Sequence, residues 1–187
     1  MRHAVHRFAG WCALAALAAS ATASAGDPIF VDSSATEPAG LHGTLAAHNA
    51  ARAKVGVAPL FWDEKLAARA QAWADLCIDV AAPIGLLDHN ANRSVGLPFY
   101  VGENIYGATG RVSGVTATQR WIGEKANYHH ASNSCDAGKT CGHYTQVVWS
   151  SSVRVGCAIS HCGALQFSNS VVCNYGPGGN IPGQSPY

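Results

Sequence analysis

The stretch of this sequence best placed for chemistry is Cys141-Gly142-His143-Tyr144-Thr145-Gln146-Val147-Val148-Trp149. The β-branched and aromatic residues from Gln146 to Trp149 predict the end of a strand, with His143 and Tyr144 at its mouth. A strand holds side chains at fixed spacing and direction, so a polar residue there is well placed for a site. A period of two puts His143, Thr145 and Val147 on one face, and Tyr144, Gln146 and Val148 on the other. One imidazole alone is equally what a hydrogen-bonded core histidine looks like, so company from elsewhere in the chain decides its meaning. The sequence has neither H-E-x-x-H for a zinc peptidase nor G-x-S-x-G for a serine nucleophile.

Compartment and charge narrow the classes further. Arg2 and Arg7 precede an apolar run, Trp11 to Ala19, and Ala23-Ser24-Ala25 offers a cleavage site, so residues 1–25 are predicted to be a signal peptide. That run is too short to span a membrane, and no later stretch reaches the ~18 apolar residues of a transmembrane helix. Cys12 leaves with the signal. Removing residues 1–25 from the 187 leaves 162, one ordinary domain with room for a core. Of 12 basic residues, Arg2 and Arg7 are lost, leaving ten against 11 acidic ones and a net charge of −1. Without a Lys/Arg cluster, nucleic acid and anionic membranes are not expected partners. The six remaining cysteines, Cys77, Cys135, Cys141, Cys157, Cys162 and Cys173, include no C-x-x-C pair and read as three disulfides in an exported chain. The protein is expected to be extracellular, or periplasmic in a bacterium.

These residues must be positioned by the elements before and after them. Residues 26–40 read as a loose arm. Helical spacing of Leu45, His48, Asn49, Arg52 and Val55 predicts a first helix over about 44–55, stopped by Gly56. Asp63 caps a second, with an apolar stripe of Leu66, Ala70, Trp73, Ala74, Cys77 and Ile78, ended by Pro83 at the latest. A loop over 83–102 carries His89, and Glu103-Asn104-Ile105-Tyr106 is a short ordered piece. A third helix is predicted over about 115–128. Strands follow at about 144–149, 153–160 and 165–174, with Gly163 at the last hairpin, and the tail from Gly176 to Tyr187 is Gly/Pro-rich without a period. Helices first and antiparallel strands late give an α+β expectation, helices on both faces of a small sheet. Cys157 and Cys162, an odd spacing apart, should face opposite ways and take different partners.

Six segments now carry a resemblance. They are His48-Asn49-x-x-Arg52, Asp88-His89-Asn90, Gly102-Glu103-Asn104-Ile105, Trp121-x-x-Glu124-x-x-x-Tyr128, the His143 stretch, and Val172-Cys173-Asn174-Tyr175-Gly176-Pro177-x-Gly179-Asn180. Together they resemble the CAP superfamily of cysteine-rich secretory proteins, antigen 5 and plant pathogenesis-related proteins of the first class. The match covers about residues 41–187, and the late half looks most like the plant branch. The resemblance implies a three-layer α-β-α sandwich and disulfides Cys77–Cys162, Cys135–Cys141 and Cys157–Cys173. It also implies a cleft built from His89, Glu103, Glu124 and His143. Two imidazoles and two carboxylates suit zinc or a similar divalent ion with an open position for water, or a hydrogen-bonded network holding three elements together. His48, Asn49 and Arg52 match a motif read as structural. Two departures stand beside His89: eleven residues separate it from Cys77, a longer link than the family's, and Asn90 replaces the usual Ser. His42, His129, His130 and His161 match no site motif.

The favoured function is a secreted, non-enzymatic binding or defence/virulence-type protein, with sterol or fatty acid as the ligand the resemblance implies and no organic cofactor. The alternative is a metal-dependent hydrolase or peptidase, using water on His89 and His143 with Glu103 or Glu124 as base. Plant relatives can release a C-terminal peptide, which here would be Pro177 to Tyr187, but a tail that packs on the sheet is the preferred reading. Oligomeric state is left open by the sequence.

Overall fold

The computed structural model describes Met1 and residues 36–82 and 84–187. The signal peptide, residues 26–35 of the arm and the stop at Pro83 lie outside the described residues.

Each of the first three helices starts at a side-chain oxygen that takes up free N–H groups. Helix α1, Thr44–Ala53, begins after Gly43 in a left-handed conformation (φ 86°). Glu37 reaches over to accept the N–H groups of Gly43 and Leu45. The two-residue strand β1, Phe61–Trp62, leads into α2, Glu64–Ala74, where Asp63 accepts from the N–H of Lys65 and of Leu66. Strand β2 is Gly102–Ala108, and α3, Gly114–Gly123, is capped by Ser113 through the Thr116 N–H. A 3-10 turn, Glu124–Asn127, then replaces the last turn predicted for this helix. The short strands β3, Tyr128–His129, and β4, Ser134–Cys135, form a ribbon. Helix α4 is Gly142–Val147, followed by strands β5, Arg154–His161, and β6, Asn169–Gly176.

The main sheet runs β1-β5-β6-β2. Its three long strands are antiparallel: β5 and β6 fall near two of the expected strands, while β2 stands where only a short ordered piece was expected, and β1 joins β5 in parallel. No hairpin links these two strands: from β1 at the sheet's edge the chain passes through α2, β2, α3 and α4 before it returns as β5. Strand β6 alternates cleanly. Val171, Cys173 and Tyr175 enter a core shared with Trp121 of α3 and with Tyr144 and Val147 of α4. Val172 faces the other way, with Ile105, Ala158 and Ala70 and Ala74 of α2. Full burial of a valine such as Val171 or Val172 contributes about 1.5–3 kcal/mol. The fold is thus α+β: α2 covers one face of the sheet, while α1, α3 and α4 pack on the other.

Three disulfides tie these layers together. Cys77–Cys162 joins the segment after α2 to the end of β5 across 85 residues, Cys135–Cys141 closes a short loop beside α4, and Cys157–Cys173 lies between register partners of β5 and β6. On chain-entropy grounds the first, which closes the longest loop, contributes about 4–5 kcal/mol.

Besides the shortened third helix, and β6 starting at Asn169 rather than 165, two further sequence expectations fail on element type or limits. Cys77 and Ile78 do not extend the stripe of α2, because the helix ends at Ala74 and Cys77 turns left-handed (φ 52°) to meet Cys162. The stretch 144–149 is not a strand. Its first half is α4, so His143, Thr145 and Val147 do not share a sheet face, and Tyr144, Gln146, Val147 and Val148 are all buried. The β-propensity of Val147-Val148-Trp149 is overridden by tertiary contacts at both ends of this helix.

The tail from Gly176 packs mainly on α4 and the β3–β4 ribbon, and meets the sheet where Gly178 lies against Gly102 at the start of β2. Gly179 N–H donates to Gln146, Thr145 Oγ1 donates to Asn180 Oδ1, Ser150 N–H donates to the Pro186 carbonyl, and Asn133 donates to the Gln184 carbonyl. The ring of Tyr187 stacks on His130 at 4.3 Å. His42, His129, His130 and His161 are all exposed.

Candidate functional site

The four residues named from the sequence form two imidazole–carboxylate pairs. In the first, His89 Nδ1 lies 2.7 Å from Glu103 Oε1, which also accepts the Asn90 N–H at 2.9 Å. Glu103 projects from β2 and its side chain is fully buried, whereas that of His89 is 57% exposed. The long link before His89 is braced by its neighbours. Asp88 accepts the N–H groups of Val80 and Ala81, its own N–H donates to the Ile78 carbonyl, and Trp73 Nε1 donates to its carbonyl. Asn90 is buried, and its side-chain oxygen accepts the Asn92 N–H to turn the chain.

In the second pair, His143 Nδ1 lies 2.6 Å from Glu124 Oε1. The other oxygen, Oε2, accepts the backbone N–H of His143 at 3.0 Å and of Tyr144 at 3.1 Å. Glu124 therefore caps α4 from the 3-10 turn after α3 and orients the imidazole in the same act. The ring of His143 stacks on Trp121, centroids 6.2 Å apart. Neither His89 Nε2 nor His143 Nε2 bonds to a described residue; in the neutral imidazole, Nδ1–H donated to the carboxylate leaves the lone pair on Nε2.

A buried polar chain behind the pairs fixes the second one. Asn104, next to Glu103 but on the opposite face of β2, donates to the His143 carbonyl and to the Tyr175 hydroxyl. That hydroxyl lies 2.8 Å from His48 Nε2, and His48 Nδ1 meets the Thr44 carbonyl at 2.8 Å. Nδ1 must donate to that carbonyl, so Nε2 accepts from Tyr175. Arg52, one turn further along α1 and fully buried, donates to the carbonyls of Ala58, Val147, Trp149 and Ser152. Asn49 joins α1 to the approach of β1 through the Leu60 backbone.

Burial of His48 pushes its pKa down to about 4, with the Arg52 charge acting in the same direction. The sign of the pH effect follows. Between about pH 6.5 and pH 4 the unfolded chain binds a proton at His48 that the folded chain refuses, so stability is full at neutral pH and falls as pH drops through this window. The loss amounts to about 3 kcal/mol at pH 4. Urea denaturation of the wild type and of His48→Gln across pH 4–7 is expected to give a shallower pH slope for the variant. Equal slopes would show that His48 does not carry this dependence.

Sequence reasoning passed over Asn104, Trp121 and Tyr175 as functional residues. Their signal was there, since each stands inside a quoted motif, Asn104 next to Glu103 and Trp121 one turn before Glu124, but only the fold shows what each one holds. A cavity of about 310 Å³ lies apart from both pairs, between the tail and α4, lined by residues such as Tyr128, Trp149, Asn180 and Pro186. Among the described residues, no three His, Cys, Asp or Glu side chains form a ready metal cage.

A disulfide-tied α-β-α sandwich with paired imidazoles and carboxylates at one end of its sheet defines a recognisable class, and the comparisons agree. The chain belongs to the CAP family, the cysteine-rich secretory protein family, whose model matches residues 45–175. It is 44% identical over 144 residues to pathogenesis-related protein 1C of Nicotiana tabacum, covering 76% of this chain and 78% of that protein. Against pathogenesis-related leaf protein 4 of Solanum lycopersicum the identity is 43%, with 76% and 80% covered. Among solved structures, venom allergen-like protein 4 of Schistosoma mansoni is similar with a TM-score of 0.60 at 25% identity, covering 76% of this chain and 91% of that one. NaASP2, solved with Zn2+, has a TM-score of 0.61 at 23% identity and shares the fold, over 82% and 90% of the two chains.

Proposed function

We propose that the protein is a secreted, non-enzymatic binding protein of the pathogenesis-related type, which takes a divalent cation such as zinc through Nε2 of His89 and of His143. One observation carries this reading: both imidazoles donate Nδ1–H to a carboxylate, the arrangement that fixes the tautomer and raises the basicity of a metal-binding histidine. Two imidazoles without a third protein ligand imply modest affinity, with solvent completing the shell. A divalent ion held this way supplies positive charge that an anionic or carbonyl ligand can meet. The same geometry weighs against a hydrolase. Glu103 is fully buried and aims its bonded oxygen at Nδ1, the side of His89 away from Nε2, and Glu124 spends its oxygens on an imidazole and two backbone N–H groups, so neither carboxylate is placed to act as a base on a water held at Nε2.

The defence-type role draws on the pathogenesis-related names of the relatives. The sterol or fatty-acid part draws on the family resemblance and on the exposed aliphatic side chains of Leu76, just before Cys77, and of Val80 and Ile84 in the link before His89. Zinc titration by calorimetry on the oxidised mature protein, beside His89→Ala and His143→Ala, tests the cation. Binding in the wild type that vanishes in both variants is expected, whereas no heat in the wild type overturns it. Saturable uptake of a fluorescent sterol or fatty acid by the same material tests the lipid part, and its absence removes that part alone.

A further inference from the structure

The first pair has a neighbour that no motif assigned to it. Glu103 on β2 and Asn174 on β6 are register partners, so their side chains leave the same face of the sheet, the face covered by α2. Only one oxygen of Glu103 is accounted for. Oε1 serves His89 and Asn90, while Oε2 is buried with no described partner. Asn174 is fully buried, and both ends of its side-chain amide, Oδ1 and Nδ2, are likewise without a partner. On the far side of Asn174 its register partner on β5 is Gly156, where the backbone of α2 comes so close at Asp63, Leu66 and Ala67 that no side chain fits. Three partnerless polar atoms thus leave the α2-covered face at paired register positions, with the buried and likewise partnerless Nε of Arg154 on the same face of β5, two residues from Gly156.

Leaving them so is costly. An unpaired buried amide or carboxylate oxygen costs about 1–3 kcal/mol, more where it is charged. Side chains directly opposite on antiparallel strands have Cβ atoms about 4.5–5.5 Å apart, and a gap between their polar tips too wide for a direct bond is spanned by one water. Water also suits the chemistry. It can donate to Glu103 Oε2 and accept from Asn174 Nδ2, and a buried water with two to four polar partners is an ordinary structural component.

We propose that Asn174 is a positioning residue of the cation site: through one buried water it holds Glu103 Oε2, and so keeps Oε1 aimed at His89 Nδ1. The inference rests on the His89/His143 reading for its effect on zinc, but not for its effect on His89 itself. Asn174 touches no ligand. It acts by fixing the carboxylate that fixes the imidazole, as outer partners of metal-binding histidines do.

The test has a readout that a merely space-filling Asn174 would not move. Long-range ¹H–¹⁵N spectra of the zinc-free, oxidised protein are expected to show His89 as a single Nδ1–H tautomer in the wild type. In Asn174→Leu, similar in size but unable to hydrogen-bond, His89 becomes a mixture of tautomers while His143, held by Glu124, keeps its signature. Zinc affinity falls about tenfold in the same variant. Asn174→Ser, which keeps a hydroxyl and leaves room for water, restores most of the His89 signature. A folded Asn174→Leu protein with an unchanged His89 spectrum overturns the proposal. Should Asn174→Leu fail to fold, the wild type still decides, through magnetisation transfer between the Asn174 amide protons and a long-lived water. Observing it supports the bridge, and its absence overturns it. If the wild type binds no zinc, the cation reading falls while the spectra still settle the role of Asn174.

Discussion

Replacing Arg52 by Met is expected to destabilise the protein by about 4 kcal/mol or more, a large share of the 5–15 kcal/mol that holds a typical domain together. The guanidinium is fully buried and, among the described residues, pairs with no carboxylate; its charge is met by the carbonyls of Ala58, Val147, Trp149 and Ser152. Burial lowers its pKa to about 10, which still leaves it charged at neutral pH. Methionine fills much of the volume but strands three buried acceptors, the carbonyls of Val147, Trp149 and Ser152, each at a cost of about 1–3 kcal/mol before relaxation. Lysine should not rescue the loss, because a single ammonium cannot reproduce the planar fork that reaches four separate carbonyls. The denaturation midpoint of the oxidised protein measures this, and a loss below about 1 kcal/mol would show that the carbonyl cage is not what Arg52 supports.

The second large effect is expected at the N-terminal end of α4, the helix whose C-terminal carbonyls Arg52 meets. Glu124→Ala removes the acceptor of the His143 and Tyr144 N–H groups together with the partner of His143 Nδ1. The carboxylate is mostly shielded, with its side chain 17% exposed. A loss of about 3 kcal/mol is expected, since hydrogen bonds to charged groups contribute about 1.5–3 kcal/mol each and part of this is recovered by water. Amide exchange at His143 and Tyr144 should speed up and zinc uptake should weaken, while His89 keeps its geometry. Unchanged protection of those two amides would mean that α4 does not depend on Glu124.

Together the two residues account for the main failure of local reasoning. Helix α4 has only six residues and contains β-branched side chains, so it is marginal on its own. A carboxylate meets its N-terminal N–H groups and a guanidinium meets carbonyls at its C-terminal end, each complementing the helix dipole. A helix rather than a strand now carries His143, and the imidazole points at Glu124 instead of lying on a sheet face.

Much of the rest was legible from the residues. Asp63 before an apolar period announced α2, the spacing of His48, Asn49 and Arg52 announced α1, and the late β-branched runs announced β5 and β6, because caps and periodicity act over a few residues. The odd spacing of Cys157 and Cys162 likewise gave them different partners, Cys173 and Cys77. Motif resemblance supplied His89, Glu103, Glu124 and His143 as a set.

The sequence by itself therefore determined which residues are polar, capped, paired by period or available for cross-linking. Tertiary structure alone decided how they meet. It matched His89 with Glu103 and His143 with Glu124, laid Asn174 beside Glu103 by strand register, set β1 parallel to β5, and turned the stretch before Trp149 into a helix. The physical reason is distance along the chain. Arg52 acts on Val147 across 95 residues and Glu124 on His143 across 19, and no local propensity reports a hydrogen bond that only the folded layers bring within reach.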